Sequence, residues 1–372
     1  MKPQYQTICE DLNRKIQEGE YRAGDTLPTE AELCAIYGVS RITAAHALNE
    51  LKGRGLIERK KKKGSIVLPV YFPPNPSARS IAVVFSYFDN FDTKISSVLV
   101  PFARKKNCSV VLFDTQHSQK KEREVLLFLL SQKMIGLIVW PVSRSSNLDV
   151  FCRFVQKNIP VCFLDYSSYG IQAPCVCSDN GDGMYSITKR LIELGHRRIA
   201  YFPYKDNFLP TEEERFSGYC RALIKNGSVP NPARFIPMPA DIKNTTTENL
   251  ENFSYCAEEA IKYLLSLPER PTAVVCVNDA AAYHIISRAK EVGLRVPEDL
   301  SVTGFDNAAL AARNGITTVS QDFGEMAKMA LNMIFYQLAN PALINNCSGV
   351  SHIRSVLWER WSTAPAKEPE AR

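Results

Sequence analysis

Within residues 1–68, apolar positions recur first at helical and then at strand spacing. Tyr5, Ile8, Leu12 and Ile16 mark one amphipathic helix. Leu33 and Ile36 give a second helix its inward side, and Ala44, Ala47, Leu48 and Leu51 gather on one side of a third. The boundaries are written in capping chemistry. Thr29 precedes Glu32 by three residues, a capping box that opens the second helix. Gly38 closes it, because Gly tolerates the left-handed backbone of a helix stop, and Ser40 caps the third. Ile57 and Ile66-Val67-Leu68 then read as two short strands joined by a turn at Lys63-Gly64-Ser65. Three helices and a hairpin with almost no spacer predict an α+β winged helix-turn-helix domain over residues 1–68.

The third helix has an unusual outer side. Ile42, Ala45, His46 and Asn49 lie opposite its core positions, with Arg41 at the N-terminal end. Apolar residues are out of place on a solvated helix. They suit a helix in a major groove, where Ile and Ala touch thymine methyls and Arg pairs with guanine. Charge points the same way. From Lys52 to Lys63 seven basic residues stand against one acid, Glu58, a local excess of +6 that equals the formal net charge of the whole chain. The remainder is close to neutral, so the basicity reads as local to a hairpin tip, as phosphate contact requires. Double-stranded DNA is the expected partner, met by Thr29, Glu30, Ser40, Arg41, Ile42, Thr43, Ala45, His46, Lys60, Lys61, Lys62, Lys63, Gly64 and Ser65.

Residues 69–79 are proline-rich and read as a semi-extended linker. Beyond them the pattern changes to short β-branched runs spaced by helices. The runs are 81–85, 109–113, 136–140 and 161–164, then 198–202, 273–277 and 300–305. Two such sets predict an α/β body of two doubly wound parallel sheets. Its expected extent is 80–363, with lobe 1 at about 80–194 plus 322–340 and lobe 2 at about 195–320 plus 347–363. A tail, 364–372, is expected to be disordered. Ligands in such folds bind beyond the carboxyl ends of the strands. The residues there are Tyr87 to Asp89, Asp114, Ser143, Asp165, Asn278-Asp279 and Asp306, many of them acids or amides suited to hydroxyl-rich ligands.

Composition narrows the class. A chain of 372 residues, 45% hydrophobic and 23% charged, should form two or three ordinary globular domains. It shows no signal peptide and no apolar run long enough to span a membrane. Eleven scattered cysteines, an odd number, suggest reduced thiols and a cytoplasmic protein. No Gly-x-Gly-x-x-Gly follows a strand, and no Walker loop or Gly-x-Ser-x-Gly occurs. The histidines at 46, 117, 196, 284 and 352 form no metal-spaced set. No catalytic residue, metal or cofactor is expected.

Longer motifs carry a family resemblance. Pro28 to Leu33, Gly38-Val39-Ser40-Arg41 and Gly64 to Val67 resemble the GntR-family winged helix. Asp179-Asn180, Leu194 to Ala200, Arg215-Phe216-Ser217-Gly218-Tyr219, Asn278-Asp279, Val296 to Val302, Gly304 to Asn307, Thr317 to Val319 and Arg360 to Thr363 resemble the effector domain of LacI/GalR regulators, which is periplasmic-binding-protein-like. The head departs from its family at Ala45, where many relatives carry Arg, and near Lys62, where a further Gly is usual.

The resemblance implies a transcriptional regulator of the bacterial, nucleoid-associated cytoplasm, a homodimer, and a repressor of carbohydrate-utilisation genes. A small sugar would close the two lobes and release operator DNA; the alternatives are a nucleobase or other non-sugar metabolite acting as corepressor, or a ligand-binding protein without DNA function. It also implies that Arg215 grips the effector, that Asp182 contacts it, and that Asn278 and Asp306 face it from the opposite lobe. Together with the other strand-end residues the expected effector set is Tyr87, Phe88, Asp89, Asp114, Ser143, Asp182, Arg215, Asn278, Asp279 and Asp306. Tyr87, Phe88 and Phe91 fit either stacking on a sugar ring or core packing.

Overall fold

A computed structural model describes residues 3–17, 20–21, 24–53, 56–60, 64–67, 79–86, 90–203, 209–237, 250–344 and 347–367. In the head, α1 (Gln4–Gln17), α2 (Glu30–Tyr37) and α3 (Arg41–Gly53) enclose a core of Ile8, Leu12, Leu33, Ala44, Ala47, Leu48 and Leu51. The caps form as the sequence predicts. The Thr29 hydroxyl accepts from Glu32 N at 3.3 Å while the Glu32 carboxylate accepts from Thr29 N at 2.7 Å. Gly38 takes φ 61°, and the Ser40 hydroxyl accepts from Thr43 N at 3.2 Å.

Ile36 differs from expectation: it is 59% exposed. The inward side of α2 is Leu33, with Cys34 and Tyr37 packed against the core. Three residues turn a helix by about 300°, so Ile36 lies about 60° to one side of Leu33 while Tyr37 lies about 40° to the other. The core meets the second side.

β2 (Ile57–Lys60) and β3 (Gly64–Val67) pair antiparallel with Lys60 opposite Gly64. Gly64 and Ser65 therefore belong to the strand rather than the turn, and Lys61 to Lys63 lie outside the described residues. A third strand, β1 (Thr26–Leu27), pairs with β3. Two residues are too few to show a period, so the sequence did not predict it.

The body holds two parallel sheets. The first contains β4 (Arg79–Phe85), β5 (Cys108–Asp114), β6 (Met134–Val139), β7 (Val161–Leu164), β8 (Pro174–Ser178) and β13 (Gly349–Ile353) in the order β13-β8-β7-β6-β4-β5. Helices α4 (Asn90–Lys105) and α12 (Phe323–Ala339) cover one face. Helices α5 (Gln119–Ser131) and α6 (Leu148–Gln156) cover the other.

The second sheet is β11 (Ser301–Thr303), β10 (Ala273–Cys276) and β9 (Ile199–Phe202). It packs between α7 (Asn180–Glu193) with α8 (Pro210–Lys225) and α9 (Leu250–Ser266) with α10 (Asp279–Glu291). The short helix α11 (Ala309–Arg313) joins β11 to an antiparallel pair, β12 (Thr318–Ser320) and β14 (Val356–Trp358).

The chain divides between lobes differently from expectation. Residues 180–193 form α7, whose Met184, Ile187 and Leu191 enter the second lobe's core. Residues 349–353 form β13, which pairs with β8 in the first sheet. Periodicity marks an element but not the sheet it joins.

The tail also differs. Ala364 to Lys367 are pinned: His196 Nε2–H donates to the Ala364 carbonyl at 3.0 Å, Ala366 N donates to Leu194 O at 2.8 Å, and Lys367 pairs with Asp299 at 2.6 Å. Thr272 supplies the hydroxyl that His196 Nδ1 accepts at 2.8 Å. Burial lowers the His196 pKa, so the ring is neutral in the fold. The unfolded ring gains its proton near pH 6.5, so this stabilisation is present above that pH and lost as pH falls below it. His196→Ala is expected to cost about 1–3 kcal/mol. Thermal melts across pH should show a lower Tm and a shallower loss of stability on acidification; an unchanged acid limb would remove His196 from this role.

Candidate DNA-binding head and effector cleft

The outer side of α3 is shaped as a contact surface. Ile42 is 83% exposed, Arg41 is exposed at the helix start, and Ala45 is half-buried. His46 is exposed and packs on Tyr5 with ring centroids 4.1 Å apart. Between α3 and the hairpin lies a groove of about 470 Å³ lined by Thr29, Glu30, Arg41, Arg59, Gly64 and Ser65.

Glu30 is engaged there as a counter-ion. Its carboxylate accepts from Arg41 Nε at 3.1 Å and pairs with Arg59, whose Nη1 donates to Asn49 Oδ1 at 2.7 Å. Arg59 and Arg41 hold the Glu30 carboxyl below the usual range. Ser65 is only 5% exposed and forms part of the groove floor, not a projecting contact. Lys60 pairs with Glu58 at 2.9 Å. Arg59 and Asn49 complete the groove chemistry. In the sequence Arg59 was visible only as one charge in a run, and Asn49 only as one outer position of α3.

In the body the polar side chains converge on Arg215, which is 7% exposed. Its Nε donates to Asn180 Oδ1 at 2.9 Å, its Nη1 to Val277 O at 2.8 Å and its Nη2 to Asp306 Oδ1 at 3.3 Å. The guanidinium lies 4.0 Å over the Phe305 ring. Three of the five N–H donors of the arginine are thus used, and among the described residues the others have no acceptor.

Asp306 sits at φ 110°, held by its N–H on Val319 O at 2.8 Å and by Gln321 Nε2 on its carboxylate at 2.6 Å. Burial raises its pKa, while Arg215 and, from the first lobe, Lys94 pull it down. Asp165, just past β7 at φ 69°, faces the same arginine, with Asp306, Glu214 and Glu212 also near. Burial pushes its carboxyl up to about 7, with Arg215 opposing and Asp306 adding to the rise. Among the described residues no hydrogen bond reaches that carboxylate.

The other expected cleft residues are engaged locally. Asp279 is 1% exposed; it accepts from Ala308 N at 2.7 Å and from the Thr318 hydroxyl, and burial pushes it up to about 8. It braces the loop that presents Asp306 and is not itself presented. Asn278 caps α10 by accepting from Ala281 N at 2.8 Å. Ser143 accepts from Ser146 N at 3.1 Å, and Asp114 from Gln116 N at 2.8 Å. Asp182, with its side chain 67% exposed, pairs with Arg221. Tyr87, Phe88 and Asp89 lie outside the described residues. The structure therefore unites Arg215 and Asp306 from the expected set and adds Asp165, Asn180, Gln321 and Lys94. Asp165 had a signal, its place just after a strand. A second opening of about 410 Å³, lined by Arg144, Glu213, Glu214 and His352 among others, includes neither Arg215 nor Asp306.

Comparison with known proteins agrees with both halves. Residues 4–67 match the bacterial regulatory proteins of the gntR family, and residues 188–350 match the periplasmic binding protein-like domain. The arabinose metabolism transcriptional repressor of Halalkalibacterium halodurans is 26% identical over 99% of this chain and 98% of its own length. The HTH-type transcriptional repressor PurR of Vibrio atlanticus is 28% identical over 84% of this chain and 92% of its own. A LacI family transcriptional regulator from Enterococcus faecium, solved with bound ribose, shares the fold at TM-score 0.62 and 20% identity, covering 78% of this chain and 100% of that one. The chain thus joins a winged-helix head of the gntR family of bacterial regulatory proteins, residues 4–67, to a periplasmic binding protein-like body, residues 188–350.

Proposed function

We propose that residues 1–68 hold operator DNA, that residues 80–363 bind a small sugar between their lobes, and that the sugar releases the operator. The protein then represses carbohydrate-utilisation genes in the bacterial cytoplasm, as a homodimer whose two heads meet a two-fold site. Operator contacts come from Thr29, Ser40, Arg41, Ile42, Thr43, Ala45, His46 and the lysines of the hairpin tip. Glu30 sets the poise of Arg41 and Arg59, which must exchange it in part for phosphate or base.

The observation that carries the sugar reading is that Arg215, with donors to spare, acts on Asp165, whose carboxylate accepts no hydrogen bond from a described residue. A sugar hydroxyl both accepts and donates, so adjacent hydroxyls match a fixed guanidinium and a carboxylate together. The arabinose metabolism repressor relative and the structural neighbours solved with ribose, cellobiose and sucrose favour a sugar over a nucleobase. Closure on the sugar shifts the DNA-binding equilibrium only by the difference in its affinity for the two states, and the linkage is reciprocal. Titrating pentoses, hexoses and nucleobases into an operator–protein complex tests the sign: release by a sugar is expected, and tighter operator binding at saturation would reject the inducer reading.

Asp165 adds a pH signature. A hydroxyl donating to it favours the ionised form, so binding expels the proton that the free carboxyl holds near pH 7. Affinity is then expected to rise about tenfold from pH 6 to pH 8, as the ionised fraction goes from about a tenth to about nine-tenths. Calorimetry at three pH values should show this rise in the wild type and a flat profile in Asp165→Asn. A flat wild-type profile would take Asp165 out of the contact set.

A further inference from the structure

The body is close to neutral in sum, but its charge is segregated. In the first sheet all strands run parallel, so their N-terminal ends lie at one end of the lobe. Arg79 opens β4; Arg104 and Lys105 end α4 and Lys106 follows it before β5; Lys133 precedes β6; Lys157 precedes β7. All six are exposed. The segments at this end, residues 102–107, 131–134, 156–160, 172–174 and 339–344, contain no aspartate or glutamate. None of the six forms an ion pair with a described residue; Lys157 donates to Leu130 O at 3.2 Å. At the opposite end of the same strands stand Asp114, Asp165 and Asp179.

We propose that this basic end of the first lobe is a second DNA-binding surface, which takes the phosphate backbone of duplex flanking the operator. The proposal rests on the reading of the head as the operator-binding module and extends its footprint.

Two facts favour DNA as the occupant. One is charge: a carboxylate-free cationic face gains most from a dense polyanion, and duplex carries one phosphate per about 1.7 Å of axis. The other is the tether. Val67 ends the head's last strand and Arg79 opens the body's first. The twelve residue steps between them span at most about 40 Å, a length of duplex holding about two dozen phosphates. The face that receives the tether is the cationic one, so a head seated on DNA keeps this face within reach of neighbouring phosphates. Cations also collect at helix C-termini, where they answer the helix dipole within the last turn. That accounts for Arg104, Lys105 and Lys157, which caps α6, but Arg79 opens a strand, Lys133 immediately precedes one and Lys106 lies beyond its helix.

The experiment uses the full chain and two duplexes: the shortest fragment it still selects over bulk DNA, and the same fragment with random-sequence extensions. Wild-type protein is expected to bind the extended duplex about tenfold tighter at 50 mM salt. The triple variant Arg104→Ala, Lys105→Ala, Lys106→Ala should lose most of that increment. Its slope of log affinity against log salt on the extended duplex should fall by about 3, from three lost contacts at about 0.9 each. Lys133→Gln with Lys157→Gln, on different segments, should lose part of the same increment and serves if the triple variant melts early. No wild-type length increment, or variants that keep it with an unchanged slope, would overturn the proposal. Selection of the short duplex over bulk DNA should survive in every variant; its absence in the wild type would instead count against the head reading.

Discussion

Arg215→Met is expected to abolish the response to sugar: no Tm shift and no operator release at ligand concentrations a hundredfold above those that saturate the wild type. The guanidinium ties Asn180, the Val277 carbonyl and Asp306 together over the Phe305 ring. Removing one partner of a buried ion pair costs about 3–5 kcal/mol, which in affinity is at least about a hundredfold. The loss also strands Asp306 and Asp165 without their main opposing charge, so both carboxyls shift further toward the neutral acid. Arg215→Lys is expected to fail almost as completely. A point charge on a flexible stem cannot hold three acceptors set in different directions. Asp182→Ala is the informative control, because its exposed carboxylate pairs with Arg221 instead. Calorimetric titration and thermal melts of the three variants check this. Wild-type affinity in Arg215→Lys, or loss of binding in Asp182→Ala, would move the site elsewhere.

What the chain displayed before folding was its local chemistry. Thr29, Glu32, Gly38 and Ser40 fix helix ends through bonds a few residues long, so the head was legible nearly residue by residue. Ile36 failed because α2 has only eight residues and two candidate inward sides. β1, β12 and β14 are two or three residues each, too short to carry a pattern. The lobe to which α7 and β13 belong was hidden, since docking depends on partners far along the chain. Net charge concealed the polarised first lobe, because a sum of near zero says nothing about position.

In the cleft, Arg215 and Asp306 were legible only through the motifs around them. Asp165 and Asp306 point where they do because both adopt positive φ, and no spacing rule anticipates that turn of the backbone. Asp114, Ser143 and Asn278 occupy equivalent strand-end places, yet neighbouring backbone N–H groups claim them, the first two in loops and Asn278 as a helix cap.

Gly218→Ala is expected to lower both stability and ligand affinity, although it adds a single methyl group. A Cβ at 218 would stand 2.2 Å from Gly181 O and 3.0 Å from Tyr185 N, both backbone atoms of α7. No side chain is there to rotate away, so the two helices must part. Overpacking of this kind costs about 1–3 kcal/mol, or roughly 5 °C in Tm for a chain of this size. The functional effect follows from what the crossing carries. Arg215 lies one turn before Gly218 on α8, and Asn180 opens α7 and accepts from Arg215 Nε at 2.9 Å. Separating the helices stretches that bond and swings the guanidinium off Val277 and Asp306. Gly218→Ser should fall further, since its hydroxyl adds bulk at the same contact. Melting curves and sugar titrations of the two variants decide the matter: an alanine variant with wild-type Tm and affinity would mean that α7 and α8 have room to spare and that the arginine is placed by α8 alone.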